Sequence, residues 1–437
     1  MLRTTAAVAA GKAARTLARR RGGGSAFPGL VAERLDPKIL AHALREVDGG
    51  IVVVTGTNGK TTTTKMLVAV LRAHGRTVFT NPTGSNFTRG VISALLGEVG
   101  LAGRLKVDLA VLELDEAHAL KFADAVSPTH ALLLNVARDQ LDRFAEIDHT
   151  AKLLAQLAER TSTGVVLNLD DSFVARIAGK LRGNVLVRHF GVDASIADRL
   201  PELMEQDVRF DDDFVAPAPG AGDVLLRPRD ERTFDILLGP GGNVGMVGPI
   251  ELRQRGLAAM INATAATGMA RLLLGRDFDP TVAATALAAV TAPFGRGEVI
   301  DVDGSPLELV LVKNPAGFTV ALATYGSTPV ATMIAINDNY ADGRDVSWLY
   351  DVSFESLRVG GVALTSGVRA YDMALRLDYD EVTTAAVEPD LGAALIRFLD
   401  AHPGEPKRIF CTYTAMMALR KDLAARYDLP AFGEEAS

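Results

Sequence analysis

The chain has 437 residues, and its 46 Lys and Arg against 53 Asp and Glu leave a net charge of −7, without the basic excess of a nucleic-acid binder. With 48% apolar and 23% charged residues it has core enough for roughly two or three globular domains, and no apolar stretch reaches the roughly 20 residues of a membrane span. Cys411 is the single cysteine, so no internal disulfide and no multi-cysteine zinc site can form, and a cytoplasmic location is expected.

The first 32 residues contain Arg3, Lys12, Arg15, Arg19, Arg20 and Arg21 and no Asp or Glu. Charges interrupt the Ala/Val run, so it is not a signal-peptide core. It reads as a frayed basic helix and a Gly22–Ser25 linker, or as a peripheral contact with the inner membrane face.

From Ile51 onward, strand and helix signals alternate. Candidate strands are Ile51–Thr55, Thr77–Thr80, Leu109–Leu114, His130–Leu134, Val165–Leu167 and Val185–Phe190. This order predicts a mostly parallel sheet covered by helices, with ligands beyond the carboxyl ends of the strands. From 193 to about 245, Pro, Gly and Asp clusters point to an irregular antiparallel insertion. Helical patterning returns near 256–262 and 281–290. A second α/β unit starts near Arg296, with strands expected at Leu307–Val312, Val330–Ile336, Gly361–Leu364 and Arg408–Cys411. The domains expected are a basic segment (1–48), a nucleotide-binding domain (49–294) and a smaller Rossmann-like α/β domain (295–437).

The first strand enters a Gly-rich turn, Gly56-Thr57-Asn58-Gly59-Lys60-Thr61-Thr62, and a helix follows. Strand, phosphate loop and helix is a nucleotide-binding arrangement. The glycines let backbone N–H groups approach an anion, Lys60 reaches the phosphates, and the Thr61 hydroxyl holds Mg²⁺. Spacing departs from the commonest loop, because Val54 stands five residues before Gly59. Glu113, ending the third strand, is a candidate Mg²⁺ ligand, whereas Asp115 and Glu116 read as helix-entry residues favoured by the dipole. Asn81–Arg89 is rich in hydrogen-bonding groups, and Arg89 could clamp a carboxylate or phosphate. Polar residues also follow later strands, at Asn135–Arg143 and Asn168–Asp171. In the second unit, Ile336–Asp351 packs Asp338, Asp342, Asp345, Asp351 and Arg344 around Trp348, the pattern of a functional or interface loop. No histidine has metal spacing, and Cys411 reads as a small core residue.

Together these pieces resemble the Mur ligase superfamily over about residues 40–425, and within it the MurT family, the ligase-like subunits of MurT–GatD lipid II isoglutaminyl synthases. The loop at Gly56–Thr62 resembles the superfamily's ATP loop. Asn135–Asp142 resembles its Asn-x-x-x-Asp-His-Leu-Asp element, with Gln140 in place of the His. Asn262 stands where the family has an adenine-contacting Asn, and Phe294–Glu298 resembles a stretch whose Arg, here Arg296, faces phosphate. The segments around 84–90, 313–317, 337–348, 366–377 and 412–416 resemble the MurT-type C-terminal region. Many relatives carry a four-cysteine zinc ribbon within the central domain. No cysteine stands at 193–242 here, so zinc is not expected, and hydrophobic contacts or loops should replace the ribbon.

The resemblance implies an ATP- and Mg²⁺-dependent ligase that amidates the D-glutamate α-carboxylate of the lipid II stem peptide, in peptidoglycan biosynthesis. Lys60 would act in phosphoryl transfer, and Asn86 and Arg89 are candidates for substrate contact. A GatD-type glutaminase partner would supply ammonia, its Cys-His pair completed by an Asp of this chain, Asp351 first and Asp345 second. Two other readings stay open: a Mur- or folylpolyglutamate-type amino-acid ligase, and a nucleotide-binding scaffold without turnover.

Overall fold

Two sheets, each sandwiched between helices, organise the chain. A computed structural model describes residues 2–21, 26–81, 86–137, 147–194, 214–291, 296–326, 329–427 and 429, with backbone alone at 19–21 and 296. Three helices, α1 (Leu2–Arg21), α2 (Phe27–Leu35) and α3 (Ile39–Leu44), precede β1 (Ile51–Thr55). Then come α4 (Lys60–Ala73), β2 (Val78–Thr80), α5 (Thr88–Glu98), β3 (Leu109–Glu113), α6 (Glu116–Ala125), β4 (His130–Leu133), α7 (Ile147–Glu159), β5 (Gly164–Asn168), α8 (Ser172–Ala175) and β6 (Leu186–Val192). Strands β7 (Val224–Pro228), β8 (Thr233–Leu238) and β9 (Gly245–Glu251) lead to α9 (Leu257–Leu274) and α10 (Pro280–Ala289).

The nine strands form one sheet in the order β2-β3-β1-β4-β5-β6-β7-β8-β9, and only β8 and β9 join antiparallel. β1 is buried along its length because helices cover both faces, which is why it reads as unbroken Ile/Val. Ile51 and Val53 enter the core under α5 to α8, and Val52 and Val54 enter the core under α4, α9 and α10. The strands of the expected insertion extend this sheet, held by buried Leu225, Phe234, Ile236 and Leu237. Part of that insertion, 195–213, lies outside the described residues. Helix α9, continued by a 3-10 turn to Asp277, is the one described helix long and apolar enough to cross a membrane. Ala263, Ala266, Met269 and Ala270 are fully buried in the core it shares with α4 and the sheet.

The second sheet runs β10 (Arg296–Val302), β11 (Ser305–Leu311), β15 (Lys407–Cys411), β12 (Ala331–Ala335), β13 (Leu364–Ser366) and β14 (Val387–Glu388). Only β10 is antiparallel. Its helices are α11 (Pro315–Tyr325) and α12 (Ala370–Tyr379), packing with the core of one face, and α13 (Leu391–Ala401) and α14 (Tyr413–Ala424), packing with that of the other. The strand expected at Gly361–Leu364 begins three residues later, because Gly361 takes φ 65° in a turn and Val362 makes only an isolated bridge to Thr384. Strand β10 was not expected, since Gly297 and the uneven spacing of Arg296, Glu298 and Asp301 break a period-2 pattern.

Helix α1 is not frayed. Ala7 and Val8 are fully buried, Lys12 Nζ donates to the Val99 carbonyl at 2.7 Å, and a Cβ at Gly11 would meet Leu96 at 2.6 Å. The small residues that weaken this helix as a membrane anchor let it pack closely on α2 and α5.

Asp170 and Asp171 follow β5. Asp171 caps α8 through Val174 N at 3.0 Å and accepts from Val136 N at 2.7 Å. Burial pushes Asp171 up to about 6, and burial with the neighbouring Asp171 charge pushes Asp170 up to about 7. Both folded values lie above the unfolded value near 3.8, so this pair stabilises the fold most below about pH 4, and the gain is lost as pH rises through 6 to 7. Asp170→Asn should therefore flatten the pH dependence. Between pH 5 and 7.5 the unmodified chain should lose about 1–2 kcal/mol more than the variant in urea unfolding.

Candidate active site

The loop between β1 and α4 is built from strain that glycine relieves. Gly56 and Gly59 take φ of 134° and 85°, and a Cβ at Gly59 would lie 2.3 Å from Asn262 Oδ1. Gly59 caps α4, so the first amides of a 14-residue helix face the loop. Thr61 to Thr64 are poor interior helix residues by propensity, yet all four are buried, so packing overrides propensity here. The exit of β4 holds the loop from one side. Thr57 N donates to Asn135 O (3.0 Å), Asn58 N to Asn135 Oδ1 (2.8 Å), and Asn135 Nδ2 to Asn58 O (3.1 Å).

The exit of β3 faces it from the other side. Thr61 Oγ1 donates to Glu113 Oε1 at 2.8 Å, and both residues are buried. Asn81 fixes the Glu113 peptide twice, donating to its carbonyl and accepting from its N–H, each at 2.9 Å. Lys60 Nζ donates to Gly56 O at 2.5 Å and Thr57 O at 3.2 Å, and lies 3.6 Å from Glu116 Oε1. Asn262, on α9, accepts from Thr63 Oγ1 at 3.2 Å. An ammonium, a hydroxyl and two carboxylates thus converge beside exposed helix amides, an arrangement suited to a polyphosphate with a hard cation. A hydroxyl and a carboxylate, both hard oxygen donors, fit Mg²⁺.

Gly56, Thr57, Asn58, Gly59, Lys60, Thr61, Thr62, Glu113 and Asn262 therefore share one locality. Glu116 joins them, which the helix-entry reading missed. Arg89 does not: its guanidinium pairs with Glu33 of α2 at 2.7 Å, a partner 56 residues away in sequence. The Asn86 carbonyl accepts from Asp115 N at 3.1 Å. Arg296 begins β10, and its side chain is outside the described residues, as is Gln140.

The second sheet reaches the same loop. Lys313 Nζ donates to Thr57 O at 3.1 Å, and Asn314 Nδ2 to Asn58 Oδ1 at 3.1 Å, while Asn314 Oδ1 caps α11 through Gly317 N. Much of the polar stretch at 337–351 serves internal bonding. Asp342, held above its ordinary value by burial, accepts from Thr414 N (2.7 Å) and Oγ1 (2.5 Å), and Asp338 pairs with Arg369 at 2.7 Å. Trp348 and Leu349 are core residues against Phe318 and Phe354. Asp345 accepts from Ser347 N at 2.9 Å, as a turn cap does. Asp351 is exposed, and the carbonyls of Leu349 and Val352 on either side of it accept from buried Arg376 at 3.1 and 2.6 Å. Cys411 is fully buried and burial pushes its thiol up, so it is a core residue, not a nucleophile.

Residues 54–218 match the Mur ligase middle domain, and residues 311–416 match the MurT ligase C-terminal domain. Among solved structures, MurF from Acinetobacter baumannii superposes with a TM-score of 0.66 at 17% identity, over 92% of this chain and 80% of its own. MurF from Thermotoga maritima, in complex with ADP, gives 0.63 at 15% identity, over 91% and 85%. The chain thus carries a match to the Mur ligase middle domain and one to the MurT-type C-terminal domain, in the α/β fold of the Mur ligases. The Streptococcus pneumoniae (strain ATCC BAA-255 / R6) protein called lipid II isoglutaminyl synthase (glutamine-hydrolyzing) subunit MurT is 28% identical over 97% of this chain and 98% of its own.

Asn81→Ala would leave a buried N–H and a buried carbonyl of Glu113 unpaired. A loss of about 2–4 kcal/mol in urea unfolding is the expected result. Asn81→Asp, which keeps the acceptor, should lose less.

Proposed function

We propose that this chain is the synthetase subunit of a two-chain lipid II amidotransferase: it spends ATP to turn the D-glutamate α-carboxylate of the stem peptide into an amide, giving D-isoglutamine. The observation that carries this reading is the end-to-end similarity to the pneumococcal MurT subunit, joined to a loop whose Lys60, Thr61 and Glu113 suit nucleotide chemistry.

A carboxylate resists attack by ammonia because oxide is a hopeless leaving group. In the proposed course a carboxylate oxygen attacks the γ-phosphorus and ADP departs, leaving an acyl phosphate. Ammonia adds to the carbonyl carbon, the nitrogen loses a proton, and the tetrahedral adduct expels phosphate. Helix α4 binds the phosphates through its first amides and Gly59, with Thr57, Asn58 and Thr62 shaping the loop. Lys60 neutralises charge on the transferred group, and Arg296 is proposed to assist. Thr61 and Glu113 would hold Mg²⁺, which when bound offsets phosphate charge. Asn262, beside Gly59 and Thr63, is proposed to meet the base. Asn86 remains a proposed substrate contact, and Arg89 could serve as one only by giving up Glu33.

Ammonia is mostly ammonium at neutral pH, so a local source helps. Cys411 is buried, which supports the reading that a partner of the GatD type supplies the glutaminase nucleophile. Asp351, exposed yet clamped by Arg376 on both sides, suits an orienting role toward a partner's Cys-His pair, following triad logic. Asp345, already a turn cap, is second. A cytoplasmic site at the membrane face suits the lipid-linked substrate. Leu2, 91% exposed, with Leu17, Phe27 and the Arg19–Arg21 run, supports a peripheral contact there.

The chain, a GatD-type glutaminase, ATP, Mg²⁺, glutamine and lipid II should together convert acid to amide, a loss of about 1 Da by mass spectrometry. Lys60→Ala should abolish product, by about 100-fold or more, even with free ammonia. Asp351→Asn should stop glutamine use and spare the ammonia-driven reaction. Equal loss with both donors would remove Asp351 from the interface, and amino-acid addition in place of amidation would favour a conventional Mur ligase.

A further inference from the structure

A carboxylate in the first turn of a helix is ordinary when it faces water and only answers the dipole. Glu116 does not face water. It is 4% exposed, and its Oε1 lies 3.6 Å from Lys60 Nζ. Burying a carboxylate is unfavourable unless a charge or donors accompany it. Among the described residues, Glu113 also lies at this site, but it accepts from Thr61 and is anchored by Asn81 through its backbone, so Glu116 is a natural counter-ion for the Lys60 ammonium.

An ammonium has three N–H donors. Around Lys60, among the described residues, stand Gly56 O, Thr57 O and Glu116. A phosphate oxygen that takes the ammonium competes with these. The two carbonyls belong to the loop and move with it. Glu116 belongs to a different element, α6, at the exit of β3, and it is the charged competitor and the most distant.

We propose that Glu116 is a positioning residue: it holds the Lys60 ammonium back from the terminal phosphate and so sets how strongly the loop prefers triphosphate over diphosphate. This rests on the nucleotide-binding reading of the loop. Neutralising Glu116 releases Lys60 to the phosphates, so triphosphate gains more than diphosphate. Because Glu116 acts through Lys60, its effect disappears when Lys60 is gone.

The test is calorimetric titration of the full chain with Mg²⁺ and either ADP or a non-hydrolysable ATP analogue, for the unmodified protein, Glu116→Gln, Lys60→Ala and the double variant. The ratio of the ADP Kd to the analogue Kd should rise about fivefold in Glu116→Gln, and the same substitution should leave it unchanged in the Lys60→Ala background. A rise below about threefold, an equal rise without Lys60, or parallel weakening of both nucleotides would overturn the inference. Should Glu116→Gln fail to fold, Glu116→Asp carries the same test, with a smaller shift of the same sign. Failure of the unmodified chain to bind either nucleotide would instead overturn the loop assignment itself.

Discussion

The register of three parallel strands fixes the chemistry of this protein. β1 pairs with β3 so that Val54 lies opposite Glu113, and with β4 so that Thr55 lies opposite Leu133. The loop leaving β1 is therefore flanked on one side by the carboxylates that follow β3 and on the other by Asn135. A slip of one residue would turn the β3 side chains to the opposite face and separate Glu113 from Thr61. The covered faces of the sheet enforce the register, because Val52, Val53 and Val54 are fully buried on alternating sides. Core packing, not the loop itself, thus brings a hydroxyl, an ammonium and two carboxylates together.

The second sheet completes the site and separates two tasks. Lys313 and Asn314, at the exit of β11, bond to Thr57 and Asn58, so this part of the chain touches the phosphate loop directly. Farther along, Arg376 is enclosed by Leu349, Val352 and Asp380, and its guanidinium lies 5.2 Å from the Phe354 ring. That buried cation gives the 347–351 turn a fixed shape around an exposed Asp351. One end of the second domain faces the loop between β1 and α4, and the turn held by Arg376 carries the exposed Asp351. This division suits an enzyme that activates a carboxyl group itself and receives nitrogen from elsewhere.

The fold was legible where burial leaves a plain signal. β1, β3, β4 and β5 are covered on both faces, so they read as short unbroken apolar runs, and the Gly-Lys-Thr turn between strand and helix marks the loop. What was missed depends on distant partners or on ambiguous local patterns. Arg89 looked like an anion clamp because Glu33, its actual partner, is invisible at a separation of 56 residues. Glu116 looked like a dipole residue because the same position serves both purposes, and only its burial beside Lys60 distinguishes them. β10 spaces Arg296, Glu298 and Asp301 unevenly at a sheet edge, which blurs the strand pattern, and its tie to Arg420 through Glu298, at 2.9 Å, spans 122 residues. Helix α1 seemed loose because Ala and Gly carry little apolar area, yet they allow close packing.

The central claim is that the carboxyl group is activated by direct phosphorylation before nitrogen arrives. Lipid II labelled with ¹⁸O in the D-glutamate α-carboxylate tests this most directly. Each turnover should move one labelled oxygen into inorganic phosphate, whether nitrogen comes from glutamine through the partner or from free ammonia. Amide product accompanied by unlabelled phosphate would contradict the account.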